Sequence, residues 1–505
     1  MMDAMSATTE GNLGKLLRQD VPAESGALID LLPPRRAWTR GELDAAADAF
    51  ADALTREGVE PDARVAILGE NCAEHLIAYM GIMRAGAVAV PVNHRLPVDT
   101  VRFILEDCAA GLCIADRVRE PLLPRGLKRI RIRGEGADGF DAFLEGGTAP
   151  FTARGSPSGT AEILYTSGST GRPKGVVLSH AGQLWALSVH VAAEPASAER
   201  SLIVAPLYHM NALFNLSVCL LNGIEVVLMP RFEAAAHLKA AAEYRCTHLS
   251  GIPTMFALMA RQQDLIRTLD LSSVKAVTIG SAPLTEALVA RVQAMFPQAT
   301  ISNGYGTTEA GPSIFEEHPG GVPRPLLSLG YPLREVEVRL VGGTADEGVL
   351  QVRSPAMFTE YLNLPAVTHE KLKNGWYDTG DVMRRDAAGF YYFTGRADDM
   401  FICGGENVFP GEVEKMLERH PAVLQAAVVP VPDEIKGEIP IAFVVLKDRS
   451  VTPEELKRFA LESGPAFSHP RAFVVVDELP VASTHKVDKR PLMARALEAA
   501  RALKR

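Results

Sequence analysis

The chain has 505 residues, a formal net charge of −9, 47% hydrophobic and 22% charged residues. This is ordinary globular composition in a chain too long for one ordinary domain, and the acidic balance argues against a dedicated nucleic-acid binder, which would concentrate Lys and Arg against phosphates. Cys72, Cys108, Cys113, Cys219, Cys246 and Cys403 stand without Cys-x-x-Cys pairs or histidines at zinc spacing, which argues against a disulfide framework or a zinc site.

The N-terminus carries Asp3 and Glu10 and no basic-then-apolar run, so it does not read as a secretory signal. Thr39-Arg-Gly-Glu42 fits a capping box, and Leu43, Ala46, Ala47, Phe50 and Leu54 follow at helical spacing until Gly58. Val65 to Leu68 then reads as a buried strand, Ala73 to Ala85 as a helix ended by Gly86, and Val88 to Val92 as a strand. The same βαβ rhythm resumes at Leu202 to Ala205, Glu225 to Met229, Thr247 to Leu249 and Val274 to Ile279. The most apolar region, Leu202 to Met229, is interrupted by Pro206, His209, Asn211, Asn215 and Glu225, so it lacks the ~20 apolar residues of a membrane span. A cytoplasmic, reducing location is the expectation.

Beyond Gly330 alternating strands at Glu335 to Val341, Val349 to Arg353 and Gly389 to Phe393 predict a β-rich subdomain, about 330–395. A charged Arg-Ala-Asp-Asp run at Arg396 then precedes a helix at Glu412 to Arg419, strands near Val423 to Val429 and Ala442 to Leu446, and a last helix after Pro491. The expected fold is α/β: a large N-terminal domain, 1–395, of helix-covered, mostly parallel sheets with the β-rich subdomain, and a small mobile α+β C-terminal domain, 396–505.

One stretch stands out. From Ile163 an apolar strand-like start runs into Thr166, Ser167, Gly168, Ser169, Thr170, Gly171 and Lys174, then leaves through Val176 to Leu178. Four hydroxyls, glycines that admit an anion to the backbone N–H groups, and a lysine suit phosphate better than the plain polar turn that is the alternative. It is not a Walker loop, because Gly175 and a β-branched run follow Lys174. In parallel sheets ligands lie beyond the carboxyl ends of strands, which is where Gly280, Ser281, Ala282, Pro283 and the run Asn303, Gly304, Tyr305, Gly306, Thr307, Thr308, Glu309 fall. The spacing after Gly304 and Gly306 does not make a dinucleotide fingerprint.

Thr166 to Gly175 resembles the nucleotide loop of the adenylate-forming (ANL) superfamily, in its acyl-CoA synthetase or carboxylic acid–CoA ligase branch. Pro206 to His209, Tyr305 to Glu309, Trp376 to Asp381, Gly395 to Asp399 and Pro480 to Lys486 follow in that superfamily's order, so the resemblance covers nearly the whole chain. It implies an enzyme that joins a carboxylate to ATP, releases pyrophosphate, and passes the acyl group to CoA. By that resemblance Tyr305 covers the adenine, Thr308 bonds the α-phosphate, Asp381 and Arg396 contact the nucleotide, and Glu309 with Thr166 serves Mg²⁺. Asp398 is the implied hinge, Gly404 and Gly405 line the CoA arm's path, and Lys486 is the implied catalytic lysine, with His485 where a glycine is usual.

His209 matches a gate residue beside the acyl carbon, and the implied acyl pocket includes Met210, Asn211, Asn215, Gly280, Gly304, Pro312 and Ser313. For single residues the plainer alternatives stay open: Glu309 as a helix cap, Asp381 as a turn residue, His209 as a core histidine. Asn211 and Asn215 share a helix face, and buried amides match a polar ring substituent better than an alkyl chain, so an aromatic or hydroxycinnamic acid is expected. An amide pair satisfied within itself is the alternative. The rival functions are a short- or medium-chain aliphatic acyl-CoA synthetase, an adenylation enzyme loading a carrier protein, and a non-catalytic nucleotide-binding protein. The expected partners are the acid, ATP and CoA, with no nucleic acid and no integral membrane association; a homodimer is compatible with this reading.

Overall fold

The computed structural model describes residues 11–147, 149–166, 172–404, 406–433, 435–448, 450–482 and 486–503. Ser167, Gly168, Ser169, Thr170, Gly171, Gly405 and His485 therefore lie outside the described residues.

Two seven-stranded sheets form most of the molecule. In the first, Thr300–Gly304, Ala276–Gly280, His248–Gly251, Arg200–Ile203, Glu225–Leu228 and Gly26–Asp30 run parallel, and Arg36–Thr39 closes the edge antiparallel. In the second, Lys128–Ile132, Leu112–Asp116, Arg64–Leu68, Val88–Pro91 and Thr160–Thr166 are parallel, while Lys174–Ser179 and Glu360–Tyr361 add antiparallel strands. Parallel neighbours need helical crossovers, and these crossovers cover the sheets.

Helix Arg40–Arg56 packs on the first sheet, helix Ala73–Arg84 on the second, and the two helices pack on each other. Thr39 and Glu42 form the expected capping box. The shared apolar core includes Leu43, Phe50, Leu76, Ile77 and Met80. Arg84 is wholly buried inside it, donating to Asp48 and Asp44 at 2.6 Å each. A buried arginine is tolerable only when its donors find such partners.

A five-stranded sheet follows, built on Glu337–Val341, Glu347–Arg353, Leu372–Lys373, Trp376–Arg385 and Tyr391–Arg396. Another five-stranded sheet contains Phe401–Cys403, Glu406–Val408, Val423–Asp433, Gly437–Leu446 and Ala472–Val476. Helices Pro410–Glu418, Pro453–Ser463 and Arg490–Leu503 cover it, and it has its own apolar core around Leu417, Val428, Ile441, Phe443 and Leu456. All six cysteines are buried and free. Among the described residues, no helix is long and apolar enough to cross a membrane.

Candidate functional site

A cavity of about 1850 Å³ opens between the carboxyl ends of the first sheet, the strand pair around Thr166 and Lys174, the β-rich sheet and the C-terminal sheet's helices. Thr166 pairs with Lys174 across two antiparallel strands, so the ends of the hydroxyl- and glycine-rich loop are pinned together at the cavity wall. The Lys174 ammonium lies over the Tyr361 ring at 4.9 Å from its centre, an attractive contact between a cation and the face of an aromatic ring.

Strands Ala276–Gly280 and Thr300–Gly304 end side by side, with Gly280 paired to Gly304. After Gly280 the chain turns through Ser281 at φ 64°, a left-handed conformation that costs a non-glycine residue about 1 to 2 kcal/mol. Ala282 and Pro283 follow along the cavity. At Gly306 a side chain could not fit, because a Cβ would meet the Pro312 carbonyl oxygen at 2.2 Å. That close crossing brings Pro312 and Ser313 to the same wall as Tyr305 and Thr308. Thr307 Oγ1 accepts the Ala310 N–H at 2.9 Å and holds the turn, while the Asn303 amide donates to the Leu327 carbonyl at 3.0 Å.

Glu309 lies in that turn, with no helix for it to cap. Its Oε1 accepts the Tyr361 hydroxyl at 2.9 Å. Burial pushes its carboxyl above the usual range, opposed by that hydrogen bond and by the Lys174 charge. Asp381 is not a turn residue either: it sits within strand Trp376–Arg385, paired to Arg396 on the next strand. Burial raises its carboxyl as well, opposed by the Tyr305 hydroxyl, which donates to Oδ2 at 2.6 Å, and by Arg396, which donates to Oδ1 at 2.8 Å. Arg396 Nε also donates to Asp398 at 2.8 Å, so an unbroken chain of contacts links Tyr305, Asp381, Arg396 and the exposed Asp398.

Lys486 reaches this group from the C-terminal sheet's side of the cavity. It is open to water where it borders the cavity yet closely enclosed by protein elsewhere; burial lowers its ammonium, and the Asp381 charge opposes that shift. The C-terminal part is further tied down by Lys415 to the Phe393 carbonyl at 2.9 Å and by Thr285 to Glu418 at 2.9 Å. Gly404, at φ 63° in the turn between Phe401–Cys403 and Glu406–Val408, does not border the cavity. The structure therefore does not bring it to the residues above.

At the other end of the cavity, His209 is the N-cap of helix Met210–Leu221, edge-on to Tyr208 at 4.6 Å. Met210, Asn211, Phe214 and Asn215 line the wall that this helix presents. Asn215 Nδ2 donates to the Asn211 backbone carbonyl at 2.7 Å and to Asn211 Oδ1 at 2.5 Å, and Asn211 Nδ2 donates to Ser281 at 2.9 Å. A backbone carbonyl can only accept, so the Asn215 amide nitrogen must face it and Oδ1 must point elsewhere.

Tyr361 and Arg324 were not anticipated from sequence. Arg324 donates to the carbonyls of Asn303 and Leu329 and holds the strand end beside the cavity. Tyr361 lies far along the chain from Glu309, and Arg324 stands in a segment without motif character, so no local pattern pointed to them. Among the described residues no cluster of three or more His, Cys, Asp or Glu side chains is arranged for a metal.

The model of the AMP-binding enzyme family matches residues 19–362, and that of the AMP-binding enzyme C-terminal domain matches 412–486. The chain is 34% identical over 469 residues to a feruloyl-CoA synthase of Amycolatopsis sp, covering 90% of this chain and 93% of that one. It is 30% identical over 505 residues to a long-chain-fatty-acid–CoA ligase of Mycobacterium tuberculosis, covering 95% and 97%. Among solved structures, the anthranilate CoA ligase AuaEII in complex with anthranoyl-AMP matches with a TM-score of 0.88 at 28% identity, covering 97% of this chain and 98% of that one.

Proposed function

The chain belongs to the AMP-binding enzyme family and is an AMP-forming acid–thiol ligase, and from that premise we propose that its acid is aromatic, of hydroxycinnamic type. The observation that carries this reading is the orientation of Asn215, whose carbonyl oxygen is turned away from Asn211 on the acyl wall of the cavity. An amide oxygen left unengaged by Asn211 on a residue that borders the cavity is an acceptor for a phenolic hydroxyl, and an alkyl chain would leave it without a donor at a cost of about 1 to 3 kcal/mol. The aromatic acids named for the feruloyl and anthranilate relatives support the same reading.

In the first step the substrate carboxylate attacks the α-phosphorus of ATP, forming the acyl–phosphate bond and breaking the bond to pyrophosphate. In the second, the CoA thiol attacks the acyl carbon and AMP leaves with its oxygen. We assign ATP to Thr166 through Lys174, Gly280 to Pro283, Asn303 to Thr308, Asp381, Arg396 and Lys486. Lys486 stabilises charge that develops on the phosphate oxygens, which requires a fixed donor and no activated protein nucleophile. His209 stands beside the acyl carbon as its gate.

The residues around Glu309 fit Mg²⁺, which takes one or two carboxylates and completes its shell with water and phosphate oxygens. Glu309, with Thr166, would hold it, and a bound Mg²⁺ supplies charge neutralisation on the phosphates. We place the division between a large unit, 1–395, and a small mobile unit, 396–505, at the hinge residue Asp398. Rotation there would carry Lys486 away and bring Gly404 and Gly405 to the CoA arm. Buried, unpaired cysteines support a cytoplasmic location.

ATP–pyrophosphate exchange with a panel of cinnamic, benzoic and fatty acids, then thioester formation with CoA, tests the proposal. Highest kcat/KM for hydroxycinnamic acids is expected. Highest values for long-chain fatty acids would overturn the aromatic reading. Exchange without CoA thioester would point to a carrier-protein thiol, and no exchange with any acid to a non-catalytic nucleotide binder.

A further inference from the structure

Three neighbouring strands of the first sheet present hydroxyls in one row. Ser250 is in register with Thr278, and Thr278 with Ser302. Residues in register on adjacent strands share a face, and Ser302 Oγ donates to Thr278 Oγ1 at 3.2 Å across that row. The other face of these strands carries Leu249, Val277, Ile279 and Ile301, packed against apolar residues of helices Pro253–Met259 and Glu286–Met295. Parallel strands are ordinarily covered on both faces. Here Thr278 is exposed, Ser250 and Ser302 are half-buried, and all three border the cavity.

The place of the row along the proposed acyl path follows from strand geometry. Gly280 and Gly304 form the row at the carboxyl end, beside the adenylating residues. Two residues back, about 6.6 Å along the strands, comes the hydroxyl row, and another ~6.6 Å back comes the row of His248 and Ala276. The cavity continues past it to Lys275 and Glu199. At roughly 1.2 Å per bond of an extended chain, the ~13 Å from the glycine row to His248 spans about eleven bonds, more than a single substituted ring fills. The cavity lining also includes Asn211 and Asn215. These groups and the hydroxyl row are neutral hydrogen-bonding groups, and the charges at the far end are paired, with Lys275 donating to Glu199 at 2.6 Å.

We propose that the far half of the acyl cavity is a subsite for an uncharged, hydrogen-bonding extension of the acid, such as a hydroxyalkyl ether or an amide, held by Ser250, Thr278, Ser302 and His248. It rests on the ligase reading of this cavity. An alkyl extension would desolvate the hydroxyl row without replacing its hydrogen bonds, and a charged one would meet only charges already paired.

The test compares kcat/KM of the intact enzyme for para-hydroxycinnamic acid, its diethylene glycol ether and its hexyl ether, the two ethers being matched in length. The glycol ether is expected to exceed the hexyl ether by about tenfold, as for one or two hydrogen bonds gained. Thr278→Val should lower that ratio by about three- to tenfold, and Thr278→Ser should retain it. A hexyl ether as good as the glycol ether, or rejection of both ethers relative to para-methoxycinnamic acid, which likewise lacks the phenolic donor, would overturn the proposal. If all cinnamic acids are poor and fatty acids good, the aromatic reading fails while the subsite is tested separately. An ω-hydroxy fatty acid should then exceed its counterpart with methyl in place of that hydroxyl, and the reverse preference would overturn the subsite.

Discussion

The two ends of the cavity solve different recognition problems with different chemistry. At the end proposed for the nucleotide, polar and charged groups are interlocked: Tyr305, Asp381, Arg396 and Asp398 form one chain, Glu309 and Tyr361 another, and Lys174 and Lys486 complete the set. At the end proposed for the acyl group, apart from the Lys275–Glu199 pair, the groups are neutral: Asn211, Asn215, Ser281 and the row of Ser250, Thr278 and Ser302. Charge held in a partly dry cleft acts strongly and tolerates little change. Neutral hydrogen bonds discriminate among ligands by smaller steps, so that end can be altered without losing the reaction.

The sharpest way to break this contrast is Lys486→Ala. A single preorganised donor to developing charge is worth about 100- to 1,000-fold, so acyl-adenylate formation should fall by that factor in pyrophosphate exchange. Given pre-formed acyl-adenylate and CoA, the same variant should form thioester at close to the normal rate. Equal loss in both steps would place Lys486 outside the first step alone. Asp398→Pro comes next. Proline holds φ near about −65° and biases a two-state hinge, so one half-reaction should slow by about tenfold or more while the other is spared. Equal loss with folding intact would make Asp398 a partner of Arg396 and nothing else.

At the neutral end Asn215→Leu should shift kcat/KM from para-hydroxycinnamic toward unsubstituted cinnamic acid by about tenfold, since it removes one hydrogen bond and adds apolar surface. No change in that ratio would mean that the amide acts only within the helix.

The smallest effect concerns the stability of the fold where the C-terminal part meets the rest. Glu418 accepts Thr285 Oγ1 at 2.9 Å and the Ala426 N–H at 3.1 Å, and burial raises its carboxyl from 4.5 to about 7, with Glu414 adding to the rise and Arg291 opposing it. A carboxyl raised in the folded chain contributes stability when protonated. The benefit is fully present below about 4.5 and is lost as the pH rises through about 7. The thermal unfolding midpoint should therefore be lower at pH 8 than at pH 6, by about 1 to 3 °C from this group, and Glu418→Gln should flatten that part of the dependence. A pH response unchanged by Glu418→Gln would assign it to another group.

Much of the architecture is legible along the chain. The capping box at Thr39 and Glu42, the βαβ rhythm and the shift to alternation beyond Gly330 are local patterns, and strand and helix boundaries fall within a few residues of where those patterns change. The end proposed for the nucleotide is legible for a related reason: its glycines, hydroxyls and acids sit in short runs along the chain. The fate of Glu309 was not. No helix follows it, and its partner Tyr361 lies on a strand that adds to the other seven-stranded sheet.

The end proposed for the acyl group depended on tertiary structure almost entirely. Ser250, Thr278 and Ser302 are unremarkable residues in three strands, each far from the next in sequence, and become one surface only because parallel pairing sets them in register. The two asparagines were visible as one helix face, but which partners their amide nitrogens take was decided by the Asn211 carbonyl and by Ser281. Buried Arg84 likewise reads as an ordinary basic residue at a helix end until two aspartates of the neighbouring helix close around it. Sequence by itself determined what each segment could form and where charge and backbone freedom were concentrated, because those properties act over a few residues. Which hydroxyls face one cavity, and which charge meets which, follows from strand register and helix packing, and those are settled only when distant segments share a core.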